Sequence, residues 1–82
     1  MASGLTIYST PWCGHCTRLK SQLKRAGVEF EDVDIEAVPE AEALVRAAND
    51  GDATVPTLVF ADGRTLTNPP LSDVLEAVGA VG

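Results

Sequence analysis

The chain has 82 residues, of which 45% are hydrophobic, and its formal net charge is −6. This length fits one domain with a limited core, and the hydrophobic fraction excludes a disordered chain. No apolar stretch approaches the roughly 18 residues that span a membrane. An acidic domain without a basic groove also argues against a nucleic-acid partner.

The first half of the chain predicts a strand, a helix, a second strand and a second helix. The first strand covers residues 5–9, and Pro11 and Trp12 then turn the chain into a helix over residues 16–26, which Gly27 ends. Alternating apolar and acidic residues predict a strand over residues 28–35, and Pro39 suits the first turn of the next helix. The predicted buried faces of the two helices are Cys16, Leu19, Leu23 and Ala26 in the first, and Ala41, Leu44, Val45 and Ala48 in the second.

The second half predicts a hairpin and a third helix. After a loop over residues 49–52, strands are predicted over 57–61 and 65–67, with Asp62-Gly63 as the turn between them. Asn68 is predicted to cap a helix that begins at Pro69 or Pro70. The apolar face of that helix is predicted to contain Leu71, Val74, Leu75 and Val78.

The element order β-α-β-α-β-β-α predicts the α/β class. The first two strands are expected to be parallel because a right-handed crossover joins them, and the last two are expected to form an antiparallel hairpin. We therefore expect a single domain over residues 1–82, a four-stranded mixed sheet with helices on both faces.

Charge is distributed unevenly along this chain. Residues 1–27 include four basic residues and no acidic one, whereas all 12 acidic residues come later. The four basic residues fall in the first predicted helix. They form either a solvated helix face or a local positive potential that favours a thiolate and guides partners.

Both cysteines lie in Trp12-Cys13-Gly14-His15-Cys16, between the first strand and the first helix. A Cys-x-x-Cys in this context is typical of thiol–disulfide exchange. Unpaired N–H groups and the helix dipole at a helix start stabilise an anion, so we expect Cys13 to provide the attacking thiolate. Cys16, one turn later on the core face, is suited to resolve a mixed disulfide at Cys13.

Further residues are candidates for substrate contacts. Trp12 is either a substrate platform or a side chain that packs on the turn. His15, when protonated, adds positive charge near the thiolate and makes the disulfide more oxidising, or it is a solvent-exposed imidazole of little effect. In Thr54-Val55-Pro56, a cis bond before the proline would turn the Val55 backbone away from the sheet and toward a thiol substrate. Only about 5–6% of such bonds are cis in folded proteins, so the spacing alone leaves the isomer open.

Other chemistries fit the residues less well. A closed zinc site needs four ligands, and the chain offers two cysteines and one histidine. Covalent haem attachment needs a histidine directly after the second cysteine, where Thr17 stands. The alternative to an enzyme is a binding module, in which two chains share an iron–sulfur cluster through Cys13 and small thiols.

The strand, the Trp-Cys-x-x-Cys and the later Thr-Val-Pro together resemble the glutaredoxin branch of the thioredoxin fold. The resemblance implies that Pro56 is cis, that Cys13 is the nucleophile and Cys16 the resolver, and that the Val55 backbone holds the cysteinyl part of the substrate. Glutathione-dependent members usually have a Lys shortly before the first Cys and a Gly-Gly with acidic residues after the fourth strand. Here Ser9-Thr10-Pro11-Trp12 and Thr67-Asn68-Pro69-Pro70 stand instead, which argues against glutathione.

One subfamily is more similar still. Actinobacterial mycoredoxins combine Trp-Cys-Gly-x-Cys, Thr-Val-Pro-Thr, Ala-Asp-Gly and Leu-Thr-Asn-Pro, and the present chain has all four segments, although His15 stands where a Tyr is expected. The Cys-Gly-His-Cys sequence is similar to that of protein disulfide isomerases. The resemblance to mycoredoxins implies mycothiol as co-substrate, an inositol–glucosamine sugar with an N-acetylcysteine, which Thr67 and Asn68 suit through their hydroxyl and amide groups.

The leading hypothesis is therefore an oxidoreductase that reduces mixed disulfides between proteins and mycothiol, with NADPH-dependent mycothiol disulfide reductase upstream. The alternatives are an NrdH-like redoxin reduced directly by thioredoxin reductase, a glutathione glutaredoxin, and the cluster-binding module. The start of the chain lacks the features of a signal peptide, and one cysteine pair is not the framework of a secreted mini-protein. We expect a cytoplasmic monomer with no tightly bound cofactor and no metal.

Overall fold

The computed structural model describes residues 4–77. Its elements follow the predicted order: β1 (Thr6–Ser9), α1 (Gly14–Arg25), β2 (Glu31–Asp34), α2 (Pro39–Ala48), β3 (Thr57–Val59), β4 (Thr65–Thr67) and α3 (Leu71–Ala77). The strands β1, β2 and β3 are shorter than predicted, because the flanking apolar residues are buried beyond the last ladder pair. Within residues 4–77, no helix combines the length and the apolar character needed to cross a membrane.

The sheet has the strand order β2-β1-β3-β4. The pair β1–β2 is parallel, whereas β1–β3 and β3–β4 are antiparallel. The ends of β1, β2 and β4 and the start of β3 therefore lie at one end of the sheet. Four loops meet there, and this placement positions the site described below.

The helices cover both faces of the sheet, as predicted. Leu19 and Leu23 of α1 and Val74 of α3 pack in one cluster with Ile7 and Leu58 of the sheet. A second cluster contains Ile35, Ala41 and Val45, with Tyr8 and Val33 packed against it. Because Ile7 and Tyr8 are successive strand residues, the two clusters lie on opposite faces. Helices α1 and α3 thus share one face, and α2 covers the other.

Gly27 ends α1 as predicted. Its φ is +78°, a conformation that glycine adopts without a side-chain penalty. The N–H of Val28 donates to the Leu23 carbonyl and that of Gly27 to the Lys24 carbonyl. This is the Schellman arrangement, and the buried Val28 and Leu23 supply its apolar contact. The predicted burial of Ala26 is wrong, because Ala26 is the exposed C-cap and Val28 takes the core position.

The predicted buried face of α2 is too wide. Leu44 is 42% exposed and Ala48 is also exposed, whereas Ala41 and Val45 are buried. The cluster under α2 has only three buried members, so one residue per turn is enough to cover it.

The third helix begins later than predicted, at Leu71. A residue before a proline is pushed out of the α region, so Pro69, which precedes Pro70, cannot be helical. Asn68 does not cap this helix: it adopts a φ of +50°, and its N–H donates to the Pro56 carbonyl at 2.8 Å. Val78 lies outside the described residues.

Candidate active site

Cys13 is the N-cap of α1. Its φ and ψ are extended, and its sulfur accepts a hydrogen bond from the backbone N–H of Cys16 at 3.2 Å. The side chain is partly exposed, and both cysteines are free thiols. A helix start with an N–H aimed at the sulfur stabilises a thiolate, so Cys13 has the position of a nucleophile.

Cys16 lies one turn later and is fully buried. Burial and, after it, the hydrogen bond with Cys13 raise the pKa of the Cys16 thiol to about 12, against the lowering effects of the Thr10 backbone and the Lys20 charge. The thiol is therefore protonated at neutral pH and cannot begin an exchange with an external disulfide. It is close enough to Cys13 for a second, internal attack.

The side chains of Trp12 and His15 project from the same turn. Trp12 is 70% exposed, yet its indole Nε1–H donates to Glu36 Oε2 at 3.0 Å. Trp12 is thus held in place and is not packed into the core, which favours the platform over simple packing. His15 is exposed, and its side chain forms no hydrogen bond or ion pair with residues 4–77.

The bond between Val55 and Pro56 is cis, as the family resemblance implies. Pro56 is buried and directly precedes β3, whereas Val55 lies in the loop. Within the described part of the chain, neither the N–H nor the C=O of Val55 has a hydrogen-bond partner. These groups are available to pair with an extended substrate, and the Thr54 carbonyl beside them is occupied by the hydroxyl of Thr57 at 2.7 Å.

Thr67 ends β4 and Asn68 follows it. Thr67 pairs with Thr57 in the ladder, and the N–H of Asn68 binds the carbonyl of Pro56, so both residues lie directly beside the cis-proline loop. Both are exposed.

The four loops at this end of the sheet lie in the order of their strands. Glu36 follows β2, Trp12 and Cys13 follow β1, Val55 precedes β3, and Asn68 follows β4. The structure therefore places the predicted site residues in one row across this end, with His15 on the adjoining helix turn. A substrate sulfur at Cys13 can extend over Val55 toward Thr67.

Sequence reasoning missed Glu36 and Asn49. Glu36 holds Trp12, and the side chain of Asn49 contacts Val45, Thr57 and Thr67. The contacts of Glu36 with Trp12 and of Asn49 with Thr57 and Thr67 join different elements, and no local sequence pattern predicts them. A separate group of contacts joins α1, β1 and β2. Lys20 forms an ion pair with Asp32 at 2.8 Å, and the Ser9 hydroxyl also donates to Asp32, so the Lys20 charge is paired.

Residues 4–77 contain no group of three His, Cys, Asp or Glu side chains placed to hold a metal ion. The site offers two thiols of different exposure beside the unpaired backbone N–H and C=O of Val55.

Comparison with known proteins identifies the family of this chain. The sequence model of the glutaredoxin family matches residues 5–65. The chain belongs to the glutaredoxin family. This glutaredoxin is 47% identical over 74 residues to a protein of Mycobacterium tuberculosis (strain H37Rv) that bears the name of a glutaredoxin, with 90% of this chain and 88% of the relative covered.

Mycoredoxin 1 of Corynebacterium glutamicum is 37% identical to this glutaredoxin over 79 residues, and the match covers 96% of this chain and 98% of the relative. The solved structure of a glutaredoxin from Methanosarcina mazei superposes with a TM-score of 0.80 at 22% identity, covering 96% of this chain and 82% of that one. That likeness shows the fold. Membership of the family makes the protein a thiol–disulfide oxidoreductase with two nearby cysteines.

Proposed function

We propose that this glutaredoxin reduces mixed disulfides between proteins and mycothiol. One observation carries the proposal: the four loops that meet at Cys13, residues 10–13, 35–38, 49–56 and 68–70, contain no Lys or Arg. Glutathione carries two carboxylates, and these loops contribute no cation of their own to bind them. Arg46, which donates to the Gly51 carbonyl of one loop, is already paired with Glu42. They offer the hydroxyl of Thr67, the amide of Asn68 and the backbone of Val55, which suit a neutral sugar.

Two further observations support the same substrate. The similarity to Mycoredoxin 1 extends over nearly the whole of both chains. The exposed indole of Trp12, held by Glu36, provides a flat apolar surface next to the nucleophile. Sugar rings present C–H faces that pack well on an aromatic ring.

The proposed reaction begins when the Cys13 thiolate attacks the mycothiol sulfur of a mixed disulfide. The Cys13–mycothiol disulfide forms, the protein–mycothiol bond breaks, and the protein sulfur leaves as a thiolate that takes a proton from water. The N–H of Cys16 stabilises the thiolate before the attack, and Val55 holds the cysteinyl backbone by two hydrogen bonds.

Cys13 is then regenerated by one of two routes. A second mycothiol attacks the bound mycothiol sulfur, which yields mycothiol disulfide and the free Cys13 thiolate. In the other route Cys16 loses its proton and attacks the Cys13 sulfur, which closes the internal disulfide and releases mycothiol. Two further mycothiol molecules then reduce this disulfide by successive exchange and leave as mycothiol disulfide, which frees both cysteines. Electrons come from NADPH through mycothiol disulfide reductase. In this proposal the protein works as a cytoplasmic monomer, and mycothiol is a co-substrate and not a bound cofactor.

The test is a single-turnover assay on a protein that carries one mycothiol, with release followed by mass spectrometry. The wild-type protein and Cys16→Ser are expected to remove the mycothiol, and Cys13→Ser is expected to be inactive. Cys16→Ser should accumulate a Cys13–mycothiol adduct. Removal of mycothiol by Cys13→Ser at the wild-type rate contradicts the mechanism.

A further inference from the structure

We propose that Asn49 fixes the hydroxyl of Thr67 as a hydrogen-bond acceptor toward the substrate, so that the row of site residues from Cys13 to Thr67 favours thiols with hydroxyl or amide donors and disfavours carboxylates. The inference rests on the proposed function, and it assigns the choice of co-substrate to a positioning residue outside that row. It follows from the direction of one chain of hydrogen bonds.

Two backbone carbonyls, which can only accept, determine which group donates and which accepts at each contact in this chain of hydrogen bonds. Asn49 Nδ2 donates to the Val45 carbonyl at 2.8 Å, and this contact fixes which end of the amide is the nitrogen. The hydroxyl of Thr57 donates to the Thr54 carbonyl at 2.7 Å, so its oxygen is left to accept from Asn49 Nδ2 at 3.1 Å. Thr57 is fully buried, so its hydroxyl is shielded from water.

The remaining end of the Asn49 amide is its oxygen. Thr67 Oγ1 lies 2.6 Å from Asn49 Oδ1, and since an amide oxygen carries no proton, Thr67 must donate. A threonine hydroxyl has one proton, and here Asn49 takes it. The lone pairs that Thr67 presents to solvent can only accept.

Thr67 lies at a position where its acceptor oxygen can face the substrate. It pairs with Thr57 beside the cis-proline, and its side chain is exposed at the end of the row that begins at Cys13. A sugar hydroxyl or an amide N–H donates to such an oxygen. A carboxylate has no proton at neutral pH and would face another acceptor, which leaves both groups poorly solvated.

The same network has a second effect. Asn49 binds the hydroxyls of Thr67 and Thr57, and Thr57 in turn donates to the Thr54 carbonyl, which directly precedes Val55. One side chain thus links the end of β4 to the cis-proline loop.

The first test compares Thr67→Val with Thr65→Val. Both threonines are exposed on β4, two residues apart, and Val retains the shape while it removes the hydroxyl. Steady-state kinetics are measured with the mycothiol and the glutathione mixed disulfide of one model peptide. Thr67→Val is expected to raise KM for the mycothiol substrate about fivefold and to leave kcat unchanged, since one neutral hydrogen bond is lost. KM for the glutathione substrate should stay constant or fall, and Thr65→Val should match the wild type for both.

The second test uses Asn49→Ala, which frees the Thr67 proton to donate. The ratio of kcat/KM for the glutathione substrate over the mycothiol substrate is expected to rise about fivefold or more, and this gain should vanish in Asn49→Ala/Thr67→Val. Circular dichroism confirms that each variant is folded, and if Asn49→Ala is not, the Thr67→Val and Thr65→Val pair decides alone. A Thr67→Val variant that loses both substrates equally, or neither, overturns the inference while wild-type turnover of mycothiol upholds the proposed function. A wild-type protein inactive with mycothiol overturns both.

Discussion

The backbone N–H of Cys16 points at the sulfur of Cys13 from 3.2 Å, while the thiol of Cys16 itself is fully buried. In the proposed mechanism one residue therefore stabilises the nucleophile with its main chain and supplies the resolving thiol with its side chain. The mechanism gives the two cysteines separate roles because their exposure differs, although only two residues lie between them.

This separation predicts the pH dependence of the internal step. Burial, which persists in the Cys13–mycothiol adduct, holds the pKa of the Cys16 thiol well above neutral pH, so the thiolate fraction is small at pH 7 and grows about tenfold per pH unit. Release of mycothiol from a preformed Cys13–mycothiol adduct should therefore accelerate roughly tenfold per unit between pH 6 and pH 9. Stopped-flow release measures it, and Cys16→Ser, which lacks the step, gives the background. A rate that is flat above pH 7 contradicts the role assigned to the burial of Cys16.

The contact between Trp12 and Glu36 predicts a spectroscopic change. Trp12 is the single tryptophan of the chain, so the fluorescence of the protein reports this side chain alone. Glu36→Ala should lower the anisotropy of Trp12 and increase its quenching by acrylamide, because the anchor of the indole is lost. KM for the mixed disulfide should rise about two- to fivefold.

Two matched variants control this experiment. Glu36→Gln keeps an acceptor oxygen and should retain most of the wild-type anisotropy. Glu40→Ala removes an exposed acidic residue of α2 that forms no described contact with Trp12. It should leave the anisotropy of Trp12 and its quenching by acrylamide unchanged. Equal quenching in Glu36→Ala and the wild type would show that Glu36 does not hold the indole.

Neighbouring residues of α2 predict unequal effects on stability. Val45 is fully buried and Leu44 is 42% exposed. Val45→Ala should lower the free energy of unfolding by about 2 kcal/mol through the cavity that it leaves. Leu44→Ala should change it by about 0.5 kcal/mol or less. Urea unfolding with an unchanged m-value measures both, and a larger loss in Leu44→Ala would place Leu44 in the core.

Features that depend on residues close together in the chain could be predicted from the sequence, and features that depend on distant residues could not. The element order, the helix stop at Gly27 and the positions of Cys13 and Cys16 depend on residues within a few positions of one another, and local patterns predicted them. The burial of α2 depends on how much sheet lies beneath it, so the apolar Leu44 was assigned wrongly to the core.

The roles of Glu36 and Asn49 escaped prediction for a related reason. Glu36 is separated from Trp12 by 24 residues, and Asn49 from Thr67 by 18. Asn49 at a helix end is ordinary in any sequence, and its function depends on strands that the fold brings beside it. The start of α3 was predictable in principle, because Pro70 excludes Pro69 from the helix.

The central claim is that the thiol partner is mycothiol, and NADPH-coupled reduction of one mixed disulfide tests it most directly. The same model protein is modified with mycothiol or with glutathione, and each form is offered to the wild-type glutaredoxin together with the matching thiol and its reductase. We predict steady NADPH oxidation with mycothiol and mycothiol disulfide reductase, and at most a tenth of that rate with glutathione and its reductase. Turnover with glutathione alone, or only with thioredoxin reductase and no small thiol, would contradict the account.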